Sequence, residues 1–512
     1  MKFDDSPAEH ELVFGMIAPL GVDLLVVTTA LTQILASPGY SVVEVRLTDK
    51  LLAEQGVTRP TAFDEYIHLM QDAGQQFRKR HSRGDALALA AVETIRERRQ
   101  QSRAAGAAGS GKVAFLLRQL KTPDEVSALR DIYGSRLFVL GLYDTIERRT
   151  EMVAKEIANS RGVTSKTDSK LSTAHALIAR DMAEEADYGQ NVRDAYPLAD
   201  VFVDCSESSR VIGQIRRFVE LLFGAPFLPP TAEEYLMFLA RAVALRSSDL
   251  SRQVGAVITT TAGSVISVGM NEVPKVGGGA YGEGDSPDNR DFKSRTERGQ
   301  QLKQETLQEV LSKLQDAGWL QPAQQAKGAS ELVPDALELM KGTRLLGLGE
   351  FQRVVHAEMT AVNDAARRGV AIEGTVLFAT TFPCQNCAKH LIGAGVRAIV
   401  YLEPYPKSLT GVLHDEECAH RSMTTLRDIG NQIAEQDRLG PKRFLLCAYI
   451  GLAPRLYQSL FAMPVRKTPE GNPVEWNLSP ERSPRLTRRH DLQRITLEEQ
   501  RALQMLSINS KE

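Results

Sequence analysis

The 512-residue chain is short of several things, and each shortage argues against a class of protein. Five cysteines, an odd and sparse count, are too few for a disulfide framework, so the thiols are expected to be reduced unless they hold a metal. Aromatic residues make up 6%. Net charge is nearly absent: 62 Lys+Arg against 64 Asp+Glu leaves −2, which argues against gripping nucleic acid or an anionic membrane through a basic surface. A local basic groove stays open. The most apolar stretch, Leu12 to Ala36, is broken by Pro19, Gly21 and Asp23 and makes a poor membrane span. The start, Met-Lys-Phe-Asp-Asp, is acidic where a signal peptide is basic and then apolar, so a cytoplasmic location and no membrane partner are expected. What remains is ordinary globular composition, 43% hydrophobic and 25% charged, enough for two sizeable cores. At roughly 100–200 residues per domain, the length suggests two to four domains.

Two halves read differently. From about residue 11 to 223, apolar runs (Leu12–Ile17, Ser41–Leu47, Val113–Leu117, Arg136–Leu142, Ala199–Asp204) alternate with amphipathic segments such as Asp85–Gln100 and Thr145–Ala158. That alternation predicts a parallel sheet covered on both faces. Pro226, Pro229 and Pro230 punctuate the chain and mark the expected boundary, giving domains 1–228 and 232–465. The second half opens on a helix over Ala232–Leu245, then a hairpin of Val254–Thr260 and Ser264–Met270 around Gly263. A polar insert over 280–348 carries one amphipathic helix on Leu302, Leu307, Val310 and Leu314. Helix, strand, helix, strand follow at His356–Arg368, Thr375–Thr380, Cys384–Gly393 and Ala398–Leu402. From 466 to 512 a tail with Arg482, Arg485, Arg488 and Arg489 reads as solvated.

The chemistry concentrates in His356-Ala-Glu358 and Pro383-Cys384-Gln-Asn-Cys387. One imidazole and two thiolates make three ligands for Zn²⁺ and leave its fourth position to water. His356 starts one expected helix, and both cysteines occupy the first turn of the next, where the helix amino end favours thiolate. Glu358 is placed to move protons between water and a substrate nitrogen. This signature resembles that of the zinc deaminases. A structural zinc site would take a fourth ligand from Cys418, Cys447, His414 or His420; the spacing favours the catalytic reading.

These motifs, with Ser247–Ile258, Gly269-Met-Asn271-Glu-Val-Pro274 and Ala398–Ser408, make residues 232–410 resemble the deoxycytidylate deaminase branch of the cytidine deaminase superfamily. The resemblance implies an α/β/α sandwich, sugar contact by Asn271, and phosphate contacts near Arg252, Tyr405 and Lys407. Lys121–Val126, Leu129–Gly134, Asp187–Asp204 and Pro441–Arg455 further resemble bacterial antiphage deaminases with a P-loop kinase-like domain in front. That implies zinc-dependent conversion of dCTP and/or dCMP to deoxyuridine nucleotides, depleting dCTP during phage infection. It also implies a homo-oligomer and, in some members, an inhibitory small RNA; Arg78–Arg80 and Arg96–Arg103 are basic stretches for one.

The first half departs from the P-loop pattern, in which glycines wrap phosphate and a lysine and a hydroxyl serve the phosphates and Mg²⁺. Its candidate is Gly15-Met-Ile-Ala-Pro-Leu-Gly21-Val22-Asp23, with Val22 at the lysine position and Asp23 at the hydroxyl position. A sensing domain, one that binds nucleotide with Mg²⁺, or a scaffolding relic is expected rather than phosphoryl transfer, with Arg148 and Arg149 as a phosphate-contacting pair. Two other functions remain open: a polynucleotide cytosine or adenine deaminase, disfavoured by the low aromatic content and the charge, and a nucleotide- or RNA-gated sensor.

Overall fold

The structure, a computed structural model, describes residues 7–48, 51, 60–104, 111–162, 168–184, 186–294, 297–341, 343, 345–347, 349, 351–403, 408–421, 425–462, 465–487 and 491–508. Its first half runs β1 (Leu12–Ile17), α1 (Leu24–Ala36), β2 (Ser41–Arg46), α2 (Phe63–Arg80), α3 (Ala86–Ala104), β3 (Val113–Arg118), α4 (Pro123–Tyr133), β4 (Leu137–Tyr143), α5 (Ile146–Ser160), α6 (Asp168–Met182), β5 (Val201–Asp204) and α7 (Ser208–Leu222). The second runs α8 (Ala232–Ala244), β6 (Gly255–Thr259), β7 (Val265–Met270), α9 (Arg298–Asp316), α10 (Ala329–Leu339), α11 (Ala357–Arg367), β8 (Val376–Thr381), α12 (Gln385–Gly393), β9 (Ala398–Glu403), β10 (Cys418–Arg421), α13 (Leu426–Leu439), β11 (Phe444–Ala448), β12 (Gly451–Leu452) and α14 (Asp491–Ile508).

The first sheet has the order β2-β3-β1-β4-β5-β12, parallel except for its last pair. Every residue of β1 is buried, as a central parallel strand requires, whereas edge strand β2 keeps exposed positions. Alternate residues divide between faces: Phe14, Met16, Phe138 and Leu140 meet α1 and α7, while Val13, Phe115, Leu117 and Val139 meet α3 and α4.

The second sheet has the order β10-β11-β9-β8-β6-β7, parallel from β10 to β8 and antiparallel at β6 and β7. Val257, Phe378 and Val400 pack with Leu236, Met237 and Ala240 of α8 and Ile429 of α13. Ala256, Ile258, Leu377 and Ala379 pack with Ala357, Ala361 and Ala365 of α11 and Leu391 of α12. Helix, sheet and helix therefore form three layers.

The two sheets are stitched together. After β11 the chain crosses back, and β12 pairs antiparallel with β5, Gly451 opposite Phe202 and Leu452 opposite Val201. Glu234 anchors the junction: it closes a capping box with Thr231, pairs with Arg217 of α7 at 2.8 Å and accepts from the Leu452 amide at 3.2 Å.

Two expectations change. The insert holds two main helices, α9 and α10, packed on each other around Leu307, Leu332 and Val333, rather than one. Residues beyond 466 are not freely solvated. Trp476, Leu478 and Leu486 pack against the α1–α7 core, and Arg485 donates to the carbonyls of Leu460 and Ala462. Helix α14 lies along α3 and α4, where Glu499 and Glu11 bracket Arg99 at 2.9 and 2.7 Å, all three buried. A buried guanidinium needs such partners, and the amphipathic pattern of α14 gives it an apolar face to bury. Arg488 and Arg489 lie outside the described residues.

Candidate metal centre and active site

His356 and Cys384 are the N-caps of α11 and α12, and Cys387 sits in the first turn of α12. Their positions follow from the strand–helix alternation, because β8 places the two helix starts side by side at one end of the sheet. Close approach of α11 to β7 depends on Gly269: a Cβ there would lie 2.1 Å from the Ala357 carbonyl oxygen and 2.3 Å from the Ala361 nitrogen.

Nδ1 of His356 lies 3.4 Å from Sγ of Cys384 and 3.4 Å from Sγ of Cys387. A tetrahedral zinc ion with Zn–S of about 2.3 Å and Zn–N of about 2.0–2.1 Å sets that separation near ~3.6 Å. The donor set therefore fits zinc in chemistry and in spacing. Among the described residues this group has three members, and none of the alternative fourth ligands Cys418, Cys447, His414 and His420 joins it.

The protons of this triad are unevenly held. Hydrogen bonding from Cys387, together with His356, lowers the Cys384 thiol to about 4. The hydrogen bond to Cys384 in turn raises His356 to about 8. Cys387, which donates to Cys384 and is buried, is pushed well above the usual thiol range. Glu358, 2% exposed in the first turn of α11, has its carboxyl raised by burial and shares a hydrogen bond with Cys387.

The other expected substrate residues divide. Asn271 is buried, and its amide already bridges backbone: Oδ1 accepts from the Val254 amide at 2.7 Å and Nδ2 donates to the Arg252 carbonyl at 2.8 Å. Arg252 is exposed and donates to the Thr381 hydroxyl at the end of β8, two residues before Pro383. Tyr405 and Lys407 lie outside the described residues. Three neighbours were not foreseen. Buried Glu272 accepts from the Ser248 amide at 2.8 Å and from its hydroxyl at 2.5 Å, holding the loop before β6. Glu403, raised by burial, faces Arg252 and Arg241 from the end of β9. Gln352 lies 3.3 Å from the His356 ring. Glu272 adjoins Asn271 in the sequence; nothing there marks Gln352 or Glu403.

In the first half, Gly15 lies inside β1, paired with Leu117 and Val139, rather than in a phosphate loop. A Cβ there would meet Leu120 at 2.7 Å, so this glycine serves packing. Gly21 does turn the chain with φ of 93°, but helix α5 closes over it: an added Cβ would sit 2.6 Å from the Arg149 carbonyl oxygen. Asp23 caps α1 by accepting from the Leu25 amide at 2.9 Å. Where an anion would meet this turn, the carboxylate of Asp181 already accepts from the Leu20 amide at 2.8 Å and from Lys121 at 2.7 Å. Among the described residues no group of three or more histidine, cysteine or carboxylate side chains gathers at this turn. Arg148 and Arg149 point apart: Arg148 pairs with Asp144 at 3.0 Å, and Arg149 is buried near the Leu20 carbonyl. Neither basic stretch is wholly a surface. Arg78 is 1% exposed and pairs with Glu125 at 3.3 Å, and Arg99 belongs to the buried triad. No helix among the described residues is long and apolar enough to cross a membrane.

Residues 230–403 match the family model of the cytidine and deoxycytidylate deaminase zinc-binding region. The deoxycytidylate deaminase of Enterobacteria phage T2 is 42% identical over 57 residues, 11% of this chain and 30% of that relative. ComE operon protein 2 of Bacillus subtilis (strain 168) is 38% identical over 53 residues, 10% of this chain and 28% of its own length. The chain thus spans less than a third of the length of these curated relatives. Among solved structures, the dCMP deaminase of cyanophage S-TIM5 aligns over 44% of this chain and 100% of its own, at 16% identity and a TM-score of 0.21.

Proposed function

We propose that the chain is a zinc-dependent hydrolase that deaminates deoxycytidine nucleotides, dCMP and/or dCTP, to the deoxyuridine nucleotides. The observation that carries this reading is the His356–Cys384–Cys387 triad with the buried carboxyl of Glu358 against it. A bound zinc ion supplies a Lewis acid that makes water nucleophilic at neutral pH. The protein's own contribution is proton transfer. Glu358 takes a proton from the attacking water, delivers it to N3 of the cytosine and helps the C4 amine leave as ammonia. Overall, C4–NH₂ and water become C4=O and ammonia. Burial suits Glu358 to the task, because it lifts the carboxyl toward the pH at which it must both accept and donate. Arg252, exposed beside the end of β8, offers a guanidinium to a nucleotide phosphate, and Asn271 shapes the sugar side by holding the loop before β6.

In the same proposal the first half is a P-loop kinase-like domain that no longer transfers phosphate, supported by the parallel order β2-β3-β1-β4-β5 and by Asp181 at the β1–α1 turn. Depletion of dCTP in antiphage defence and control by a small RNA rest on the resemblance of residues 121–126, 129–134, 187–204 and 441–455, and homo-oligomeric assembly on that of residues 232–410. Chromatography of dCMP, dCTP and a cytosine-bearing oligonucleotide after incubation with the zinc-loaded protein tests the reading. Formation of dUMP or dUTP is expected. Turnover of the oligonucleotide alone favours a polynucleotide deaminase, and no turnover of any of the three refutes both.

A further inference from the structure

The imidazole of His356 has a second nitrogen, and its environment is specific. Nε2 lies 3.3 Å from Oε1 of Gln352, while Nδ1 faces the two sulfurs. A ring that gives its Nδ1 lone pair to a metal keeps its proton on Nε2, and ligand histidines almost always donate that N–H to an oxygen acceptor. An amide oxygen stands in that place.

The segment bearing Gln352 is held from two sides. On one side, Val355 exchanges backbone hydrogen bonds with Glu272, at 3.1 and 3.2 Å, just beyond β7. Next to Gln352, Arg353 donates to Asp291 at 2.5 Å and to the Asn289 carbonyl at 3.1 Å. On the other side the first turn of α9 rests directly on the backbone. A Cβ at Gly299 would come within 2.9 Å of the Phe351 carbonyl oxygen and 3.6 Å of Gln352 Cα. The absent side chain at 299 is therefore what lets the insert press against the residue that touches the histidine.

We infer that Gln352 is a positioning residue for the metal centre: its amide oxygen accepts the Nε2–H bond of His356 and fixes the ring tautomer that turns Nδ1 toward Cys384 and Cys387, and helix α9 of the insert braces it there. This rests on the proposed zinc reading. It gives the insert, whose helices otherwise pack mainly on each other, a role at the metal centre. Outer hydrogen bonds of this kind are worth roughly 10–100-fold in metal affinity. An exposed one belongs at the lower end.

The test is the zinc dissociation constant of the full-length protein, measured by competition with a chromophoric chelator, for wild type, Gln352→Ala, Gln352→Glu and Gly299→Ala. Gln352→Ala should weaken zinc about tenfold without moving the thermal midpoint of the metal-free protein. Gln352→Glu, which keeps an acceptor oxygen, should restore the affinity. Gly299→Ala should weaken zinc in the same direction by displacing residues 351 and 352. Wild-type affinity in Gln352→Ala, or a Gln352→Glu variant as weak as Gln352→Ala, overturns the inference. Wild-type affinity in Gly299→Ala overturns the bracing. A wild-type chain that binds no more zinc than His356→Ala overturns the proposed function as well, so the two failures are distinguishable.

Discussion

Gly269 lies on β7, away from the metal ligands, yet it bears on them through the helix that carries His356 and Glu358. In Gly269→Ala the new methyl would sit 2.1 Å from the Ala357 carbonyl oxygen and 2.3 Å from the Ala361 nitrogen, both in the backbone of α11. Carbon contacts settle near ~3.5 Å, so strand and helix must separate by on the order of 1 Å to admit it. Overpacking of this kind costs about 1–3 kcal/mol of stability. Misplacing a catalytic group by about 1 Å costs on the order of 10²-fold in rate. We therefore expect kcat/KM for dCMP or dCTP to fall about a hundredfold and zinc to be held more weakly. Steady-state ammonia release and zinc quantification read these effects, with thermal unfolding alongside. Gly393→Ala is the control: this exposed glycine ends α12 with nothing near its absent Cβ, so activity should hold and stability should stay level or rise by up to about 1 kcal/mol. Wild-type activity and zinc content in Gly269→Ala would refute the claim that α11 must sit this close to the sheet.

The buried triad makes a second prediction: Arg99→Ala leaves Glu11 and Glu499 facing each other without their cation and should cost about 3–5 kcal/mol, seen as a lowered Tm with α14 exposed to proteolysis. Asn271→Ala strips a donor from the Arg252 carbonyl and an acceptor from the Val254 amide, so it should destabilise by about 1–3 kcal/mol in urea unfolding as well as impair turnover; an unchanged midpoint would contradict the bridging role. Zinc affinity should depend on pH. Because His356 is raised to about 8, its proton must be displaced below that pH, so affinity should fall about tenfold per unit from pH 8 downward, more steeply as Cys387 also ionises. A flat profile in chelator competition between pH 6 and 8 would contradict this.

How much of this was legible varied with the kind of signal. His356, Cys384 and Cys387 meet at 3.4 Å as their spacing promised, because strand β8 between two helix starts leaves few other arrangements. The apolar runs of the first half became strands β1 to β5 for the same reason: buried parallel strands are written as continuous apolar segments. What could not be read were contacts between residues far apart in the chain. Arg99 reads in the sequence only as part of a basic stretch, because Glu499, 400 positions away, is what buries it. Gly15 looked like half a phosphate loop because the Leu120 side chain that needs its missing Cβ comes from another strand's end. Asn271 matched a motif, but the bonds that occupy it are to the backbone of the loop before β6.

Glu358 is the group proposed to move protons beside a metal held by three other side chains. The most direct test compares zinc-loaded wild type with zinc-loaded Glu358→Gln, a near-isosteric change at a buried position, by the rate of uracil-nucleotide formation and by zinc content. Proton transfer by a positioned side chain contributes about 10²–10⁴-fold, so Glu358→Gln should lose at least about a hundredfold in kcat while still holding about one zinc per chain. A Glu358→Gln enzyme that is folded, zinc-loaded and as active as wild type would contradict the mechanism.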